Sequence, residues 1–218
     1  MAAGRQRIRV INPNSNQAVT DGISAALDGL RFANGPAIIC DTLAEGPFGI
    51  ERQADVEQVA MPLARLVGGD NESDAFVIAC YSDPGLHICR EATDRPVFGI
   101  AECGVLTALA RAERFGVIAI KGASIPRHMR YLRQMGLTGR LAGERPLEMS
   151  VAESASGEDT LSRMVEIGAA LRDGDGADAV VMGCAGMARH REPLEDALRV
   201  PVIDPTQAAV AMALGTLR

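Results

Sequence analysis

Short runs rich in Val, Ile and Ala alternate with helix-length stretches along the whole chain, and this alternation restricts the fold more than any other feature. The runs Ile8–Asn12, Ala37–Thr42, Ala75–Cys80, Val97–Ile100, Phe115–Ile120, Leu147–Val151, Ala179–Gly183 and Val202–Asp204 read as strands. Between them, Gln17–Leu30, Val56–Val67, Ser124–Met135, Thr160–Arg172 and Thr206–Leu217 read as helices. Strands separated by helices of this length build right-handed βαβ units and a mainly parallel sheet covered on both faces. The composition suits such a core: 47 % of residues are apolar, only 3 % are aromatic, and Trp is absent. Ser124 ahead of Pro126, and Asp204-Pro205-Thr206, mark helix starts with a capping oxygen beside a proline. The polar stretch Val151–Thr160 reads as a surface loop leading into a helix.

The pattern occurs twice. DAFVIAC begins at Asp74 and DAVVMGC at Asp178, 104 residues later. RPVFGI at Arg95 is answered by VPVID at Val200, 105 residues later, and RIRVINPN is answered by RFGVIAIKG, with Ile8 against Gly116. Matches in one order at nearly one offset indicate a duplicated β-α-β-α-β-α-β-α unit. The expected fold is α/β, with two pseudo-symmetric lobes, each a mainly four-stranded parallel sheet flanked by helices. The lobes divide as 1–102 and 103–218, with the C-terminal helix free to pack on the other lobe. Ligands of open parallel sheets bind at the carboxyl ends of the strands. Cys80 and Cys184, both at such ends, would meet one ligand from opposite sides of the cleft.

Charge and motif content narrow the partners. With 218 residues and a formal charge of −6, the chain offers no basic surface for nucleic acid or an anionic membrane. No apolar run is long enough to span a bilayer, and the N-terminus lacks the apolar core of a signal peptide. A cytoplasmic protein with reduced thiols is expected. The five cysteines form no CxxC pair, so a disulfide framework or structural zinc site is not expected. No GxGxxG follows the first strand and there is no Walker loop, which argues against dinucleotide and nucleoside triphosphate chemistry.

Two opposed thiols suit the inversion of a stereocentre. One thiolate removes a proton from one face of a carbon acid, the other thiol delivers a proton to the opposite face, and the reverse reaction exchanges the roles. Tyr81 and Ser82 after Cys80, and Ala185 and Gly186 after Cys184, carry the chain from strand into turn. Their backbone N–H groups should gather near each sulfur, favouring the thiolate and holding charge on a substrate carbonyl. Asn12 and Asn14 of INPNSN are further substrate-binding candidates, with Ser15 or Asn16 as a helix cap. Asp83 reads as the cap of the helix that follows it. Glu102 and Lys121 either line the cleft or face solvent. Cys40, Cys89 and Cys103 read as core thiols. His87, His128 and His190 lie in charge-rich helical stretches, and Cys80, His87 and Cys89 fit no usual metal spacing.

VINPNSN, IACYSDPGL, RPVFGIAE and VVMGCAGM together resemble the hydantoin and allantoin racemases, a branch of the aspartate/glutamate racemase superfamily, from Val10 to about Val210. The resemblance implies racemisation without a cofactor or metal, an acid/base pair at Cys80 and Cys184, Asn12 at the cleft, a small-molecule substrate and a homo-oligomer. A 5-substituted hydantoin or allantoin is the first expectation. Asp/Glu-type amino acids, and decarboxylation or cis-trans isomerisation through one cysteine, are the enzyme alternatives. A flavodoxin-like small-molecule binder is the non-enzyme one. In one place the pattern departs from the family: Ala119 and Ile120 stand where hydantoin racemases carry a threonine pair, with Lys121 next to them.

Overall fold

The strands form where the apolar runs lie, with one displacement. The computed structural model describes residues 5–156 and 159–217. The first half runs β1 (Arg7–Asn12), α1 (Gln17–Ala26), β2 (Ala37–Thr42), α2 (Gln53–Gly69), β3 (Ala75–Ile78), α3 (Leu86–Ala92), β4 (Val97–Gly99) and α4 (Ile100–Leu109). The second runs β5 (Phe115–Ala119), α5 (Ile125–Gln134), β6 (Leu141–Pro146), α6 (Val151–Ser156), α7 (Thr160–Ala169), β7 (Ala179–Gly183), α8 (Arg191–Leu198), β8 (Val202–Ile203) and α9 (Pro205–Thr216). The described strands make two four-stranded sheets, ordered β2-β1-β3-β4 and β6-β5-β7-β8, and every pairing is parallel.

The repeated residues do the same work in each sheet. Asp74 donates its N–H to the Arg7 carbonyl at 2.8 Å and accepts the Arg7 N–H on its carboxylate at 2.8 Å. Asp178 makes the same pair of bonds with Arg114, at 2.9 and 3.1 Å. Phe76 donates to the Pro96 carbonyl and Val180 to the Pro201 carbonyl, each at 2.9 Å. These bonds set β3 against β1 and β4, and β7 against β5 and β8, in matching register. β3 and β7 are buried along their whole length, which is why their sequences are continuous apolar runs rather than alternating ones.

The helix that closes each half crosses to the other sheet. α4 packs on β7, while α9 packs on β1 and β3, and the two helices pack on each other. Gly104 permits that approach: a Cβ there would lie 2.8 Å from the Pro205 Cβ.

Four local expectations are corrected. The sixth strand is Leu141–Pro146, not Leu147–Val151. It is an edge strand of half-buried residues, LAGERP, so no apolar run marks it; Arg145 anchors it through a two-pronged ion pair to Asp175, at 2.7 and 2.8 Å. Leu147 and Val151 are buried because they cover the core beyond that strand. The polar stretch from Val151 opens as helix α6, with Val151 and Ser154 inside; Gly157 and Glu158 lie outside the described residues. Ser124 gives α5 no side-chain cap, because its hydroxyl donates to the Lys121 carbonyl at 2.7 Å. Asp83 caps α4, across the chain, rather than α3. Asp204 does cap α9, accepting the N–H groups of Thr206 and Gln207 at 2.7 and 3.2 Å. No helix among the described residues is long and apolar enough to cross a membrane.

Candidate active site

The chain segments that leave β1, β3, β5 and β7 converge on one cavity. Asn14 comes from the first, Cys80, Tyr81 and Ser82 from the second, Ile120 from the third, and Cys184, Ala185 and Gly186 from the fourth. Because these are the paired central strands of the two sheets, the duplication itself brings one cysteine from each sheet to the cavity. Arg127 and His128 of α5, Ile50 ahead of α2, and Val19 and Val151 complete most of the wall.

Each sulfur accepts one backbone N–H from two residues downstream: Ser82 to Cys80, and Gly186 to Cys184. The Ser154 hydroxyl lies a further 3.9 Å from Cys184 Sγ. These donors favour the thiolate, as the turn composition suggested, but burial outweighs them. Burial pushes the Cys80 thiol up to about 12, helped by the charge of Cys184 and opposed by the Ser82 N–H and the Arg127 cation. Burial also pushes Cys184 up, against the Gly186 N–H and the Ser154 hydroxyl. Repulsion between the two sulfurs disfavours a double thiolate, so the pair holds at least one proton near neutrality. One acid and one base is the stoichiometry that inversion requires.

Of the two asparagines, Asn14 lines the cavity and Asn12 stands behind it. Asn12 is fully buried, and its Nδ2 donates to Asn14 Oδ1 at 3.0 Å and Thr20 Oγ1 at 2.9 Å. Asn14 Oδ1 also accepts the Asn16 N–H at 2.9 Å, which orients the Asn14 amide. Asn16 caps α1 through the Ala18 N–H at 3.1 Å. The backbone N–H groups of Tyr81 and Ala185, next to the sulfurs, bond to no other described residue. The Tyr81 ring is buried edge-on against His128, at 5.1 Å and 84°.

Asp83 holds the turn that presents Cys80. Its backbone N–H donates to the Cys80 carbonyl at 2.9 Å, and its carboxylate accepts the N–H groups of Ala101 and Glu102, each at 2.9 Å. Burial pushes this carboxyl up to about 7, against the lowering effect of those two donors. The second half caps its helix differently. Thr206 and Gln207 stand 105 residues after Ala101 and Glu102, and both are capped by Asp204, whose counterpart 105 residues earlier is Gly99. A Cβ on Gly99 would lie 2.3 Å from the Asp83 carboxylate, so the first half reaches the same cap from the cysteine turn.

The remaining sequence candidates fall outside the cavity wall. Lys121 pairs with Glu51, which also accepts the Val151 N–H at 3.1 Å and so ties two wall segments together. Glu102 pairs with Arg90 at 2.6 Å. Cys89 and Cys103 are core thiols, pushed by burial to about 11 and about 12, and Cys40 is half-buried on β2. His87 is exposed and His190 buried. Among the described residues no group of three or more His, Cys, Asp or Glu could hold a metal ion.

Sequence reasoning missed Arg127 and Ser154 and gave His128 no place in the site. His128 and Glu144 are both buried and face each other through Nδ1 and Oε1. Arg127 donates from Nε to the Ser82 hydroxyl at 2.9 Å. Within IPRHMRYLRQ these two look like a solvated helix face, and no local signal distinguishes them. Ser154 sits in a stretch so polar that only its fold-back over Cys184 shows its place.

Comparison with known proteins identifies the family and the fold. The family model for Asp/Glu/Hydantoin racemase matches residues 8–213. The chain is 37 % identical over 217 residues to the hydantoin racemase of Paenarthrobacter aurescens, covering 95 % of this chain and 89 % of that protein. It is 37 % identical over 215 residues to the hydantoin racemase of Pseudomonas sp. (strain NS671), covering 95 % and 84 %. Among solved structures, the allantoin racemase from Klebsiella pneumoniae superposes with a TM-score of 0.89 at 32 % identity, covering 96 % of this chain and 86 % of that one.

Proposed function

Since the chain belongs to the Asp/Glu/hydantoin racemase family and is a racemase by that membership, we propose that it inverts C5 of a 5-substituted hydantoin or allantoin with Cys80 and Cys184 as the acid/base pair. The observation that carries this reading is the placement of the two cysteines at equivalent strand ends of the two sheets, lining one cavity. One thiolate takes the C5 proton and becomes a thiol. The electron pair moves onto the C4 carbonyl as an enolate, and the opposite thiol returns a proton to the other face and becomes the thiolate. Tyr81 and Ala185 offer their uncommitted backbone N–H groups to the enolate oxygen, and Asn14, oriented by Asn12, contacts the ring. Preorganised donors of this kind are worth about 2.7–4 kcal/mol each in a transition state. The cycle returns both sulfurs to a state equivalent to the starting one, and no step calls for a cofactor.

The test is loss of optical activity from single enantiomers of allantoin, 5-benzylhydantoin and 5-isobutylhydantoin in D₂O, with mass analysis. Racemisation with one deuterium gained per inversion is expected on at least one of them; optical stability of all three would overturn the substrate class.

The raised thiols give a pH prediction. Below its pKa the thiolate fraction rises about tenfold per pH unit, and kcat/KM reports the free enzyme. With Cys80 near 12 and Cys184 also raised, kcat/KM should climb close to tenfold per unit from pH 6 to 8 without levelling. A plateau reached below pH 7 would mean that a different group is the base.

A further inference from the structure

The cavity holds a cation that no carboxylate of the described residues contacts, although Asp55 and Glu144 act on it from a distance. Arg127 is anchored at one end only, by Nε on the Ser82 hydroxyl, and neither Nη makes a hydrogen bond or ion pair with a described residue. Other arginines of the chain are closed on carboxylates, among them Arg9 on Asp41 and Asp70 and Arg145 on Asp175. The wall of the same cavity is apolar at Ile120, Val151 and Ile50, and no Asp or Glu among the described residues lines it. Next to Arg127, His128 also lines the cavity, with its Nδ1 against Glu144.

Arg127 is half-buried, so a neutral ring filling this space would take water from the guanidinium without replacing it, which is costly. A planar guanidinium with free Nη groups matches a carboxylate, and the bonds it makes are charge-assisted. Resting on the racemase reading above, we propose that Arg127 forms an anion-binding subsite that takes a carboxylate on the side chain of the substrate. The preferred hydantoin then carries an acidic 5-substituent rather than an alkyl or aryl one.

Matched probes test this: 5-(2-carboxyethyl)hydantoin, its carboxamide, and 5-isobutylhydantoin, each measured for racemisation and, separately, for binding by calorimetry. The acid should be favoured over the carboxamide by ~10- to 100-fold in kcat/KM, carried mainly by KM. Arg127→Met should remove most of that preference, and Arg127→Lys should restore part of it. Equal kcat/KM and equal binding of acid and amide by the wild type would overturn the subsite. So would an Arg127→Met loss equal on all three probes with the pH profile displaced upward, because the cation would then serve the Cys80 thiolate. Tighter binding of the acid with no racemisation of any probe would keep the subsite and overturn the hydantoin reading.

Discussion

Replacing either Cys80 or Cys184 by alanine is expected to lower racemisation by about 10²–10⁴-fold, the range for losing a positioned acid or base. The two losses should be far from additive, because inversion needs both groups and the second removal takes away little more. Hydrogen exchange separates the roles. In D₂O, a variant that retains one thiol can still remove and return a proton on the face that thiol occupies. Cys184→Ala should therefore exchange C5–H of one enantiomer with retention, and Cys80→Ala should exchange the other. Measuring deuterium by mass and configuration by chiral chromatography on the same samples reads both. A single variant that racemises at a tenth of the wild-type rate or more would end the two-thiol mechanism. Exchange of the same enantiomer by both variants would show that the thiols do not face opposite sides of the substrate.

The second large effect is structural. Asp83→Ala removes the cap of α4 and the acceptor for two backbone N–H groups, and places alanine at a φ of 42°, where aspartate is better tolerated. The expected loss is about 2–4 kcal/mol, or roughly 5–15 °C in Tm for a chain of this size. The internal repeat supplies the rescue. Gly99 has the extended backbone of a cap residue, φ −92° and ψ 137°, close to the −79° and 115° of Asp204. With Asp83 gone the space beside Gly99 opens, so Gly99→Asp in the Asp83→Ala background should recover part of the loss. In the wild-type background Gly99→Ala should instead destabilise, by about 1–3 kcal/mol of overpacking against the Asp83 carboxylate. Stability against pH gives an independent reading. Burial holds the Asp83 proton up to about 7, whereas an aspartate in an unfolded chain releases it near 3.9. Between those values the folded protein binds more protons than the unfolded one, so this group makes stability fall as pH rises from about 4 to 7. Asp83→Ala should remove that component. A Tm change under about 2 °C, or no recovery in the double variant, would show that the cap carries little of the stability of this turn.

Much of this arrangement is legible in the residues. A carboxylate, a buried strand and a cysteine recur at one offset, and in the structure Asp74 and Asp178 make the same clamps while Cys80 and Cys184 line one cavity. Periodicity located the buried strands because both faces of β3 and β7 are covered and must be apolar. It failed at β6, where an edge position tolerates Gly, Glu and Arg, and at α6, whose polar residues conceal Val151 and Ser154. Sequence proximity points Asp83 to the nearest helix and is silent about a partner 18 residues away.

Sequence alone determined the doubled parallel architecture and the pair of thiols, because strand period, helix length and the matched motifs are properties of the chain read locally. Only the tertiary structure decided what surrounds the sulfurs: which donors reach them, that burial outweighs those donors, and that Arg127 and His128 of α5 line the same cavity as both cysteines. Those outcomes depend on desolvation and on contacts between distant segments, and neither quantity exists until the chain is folded.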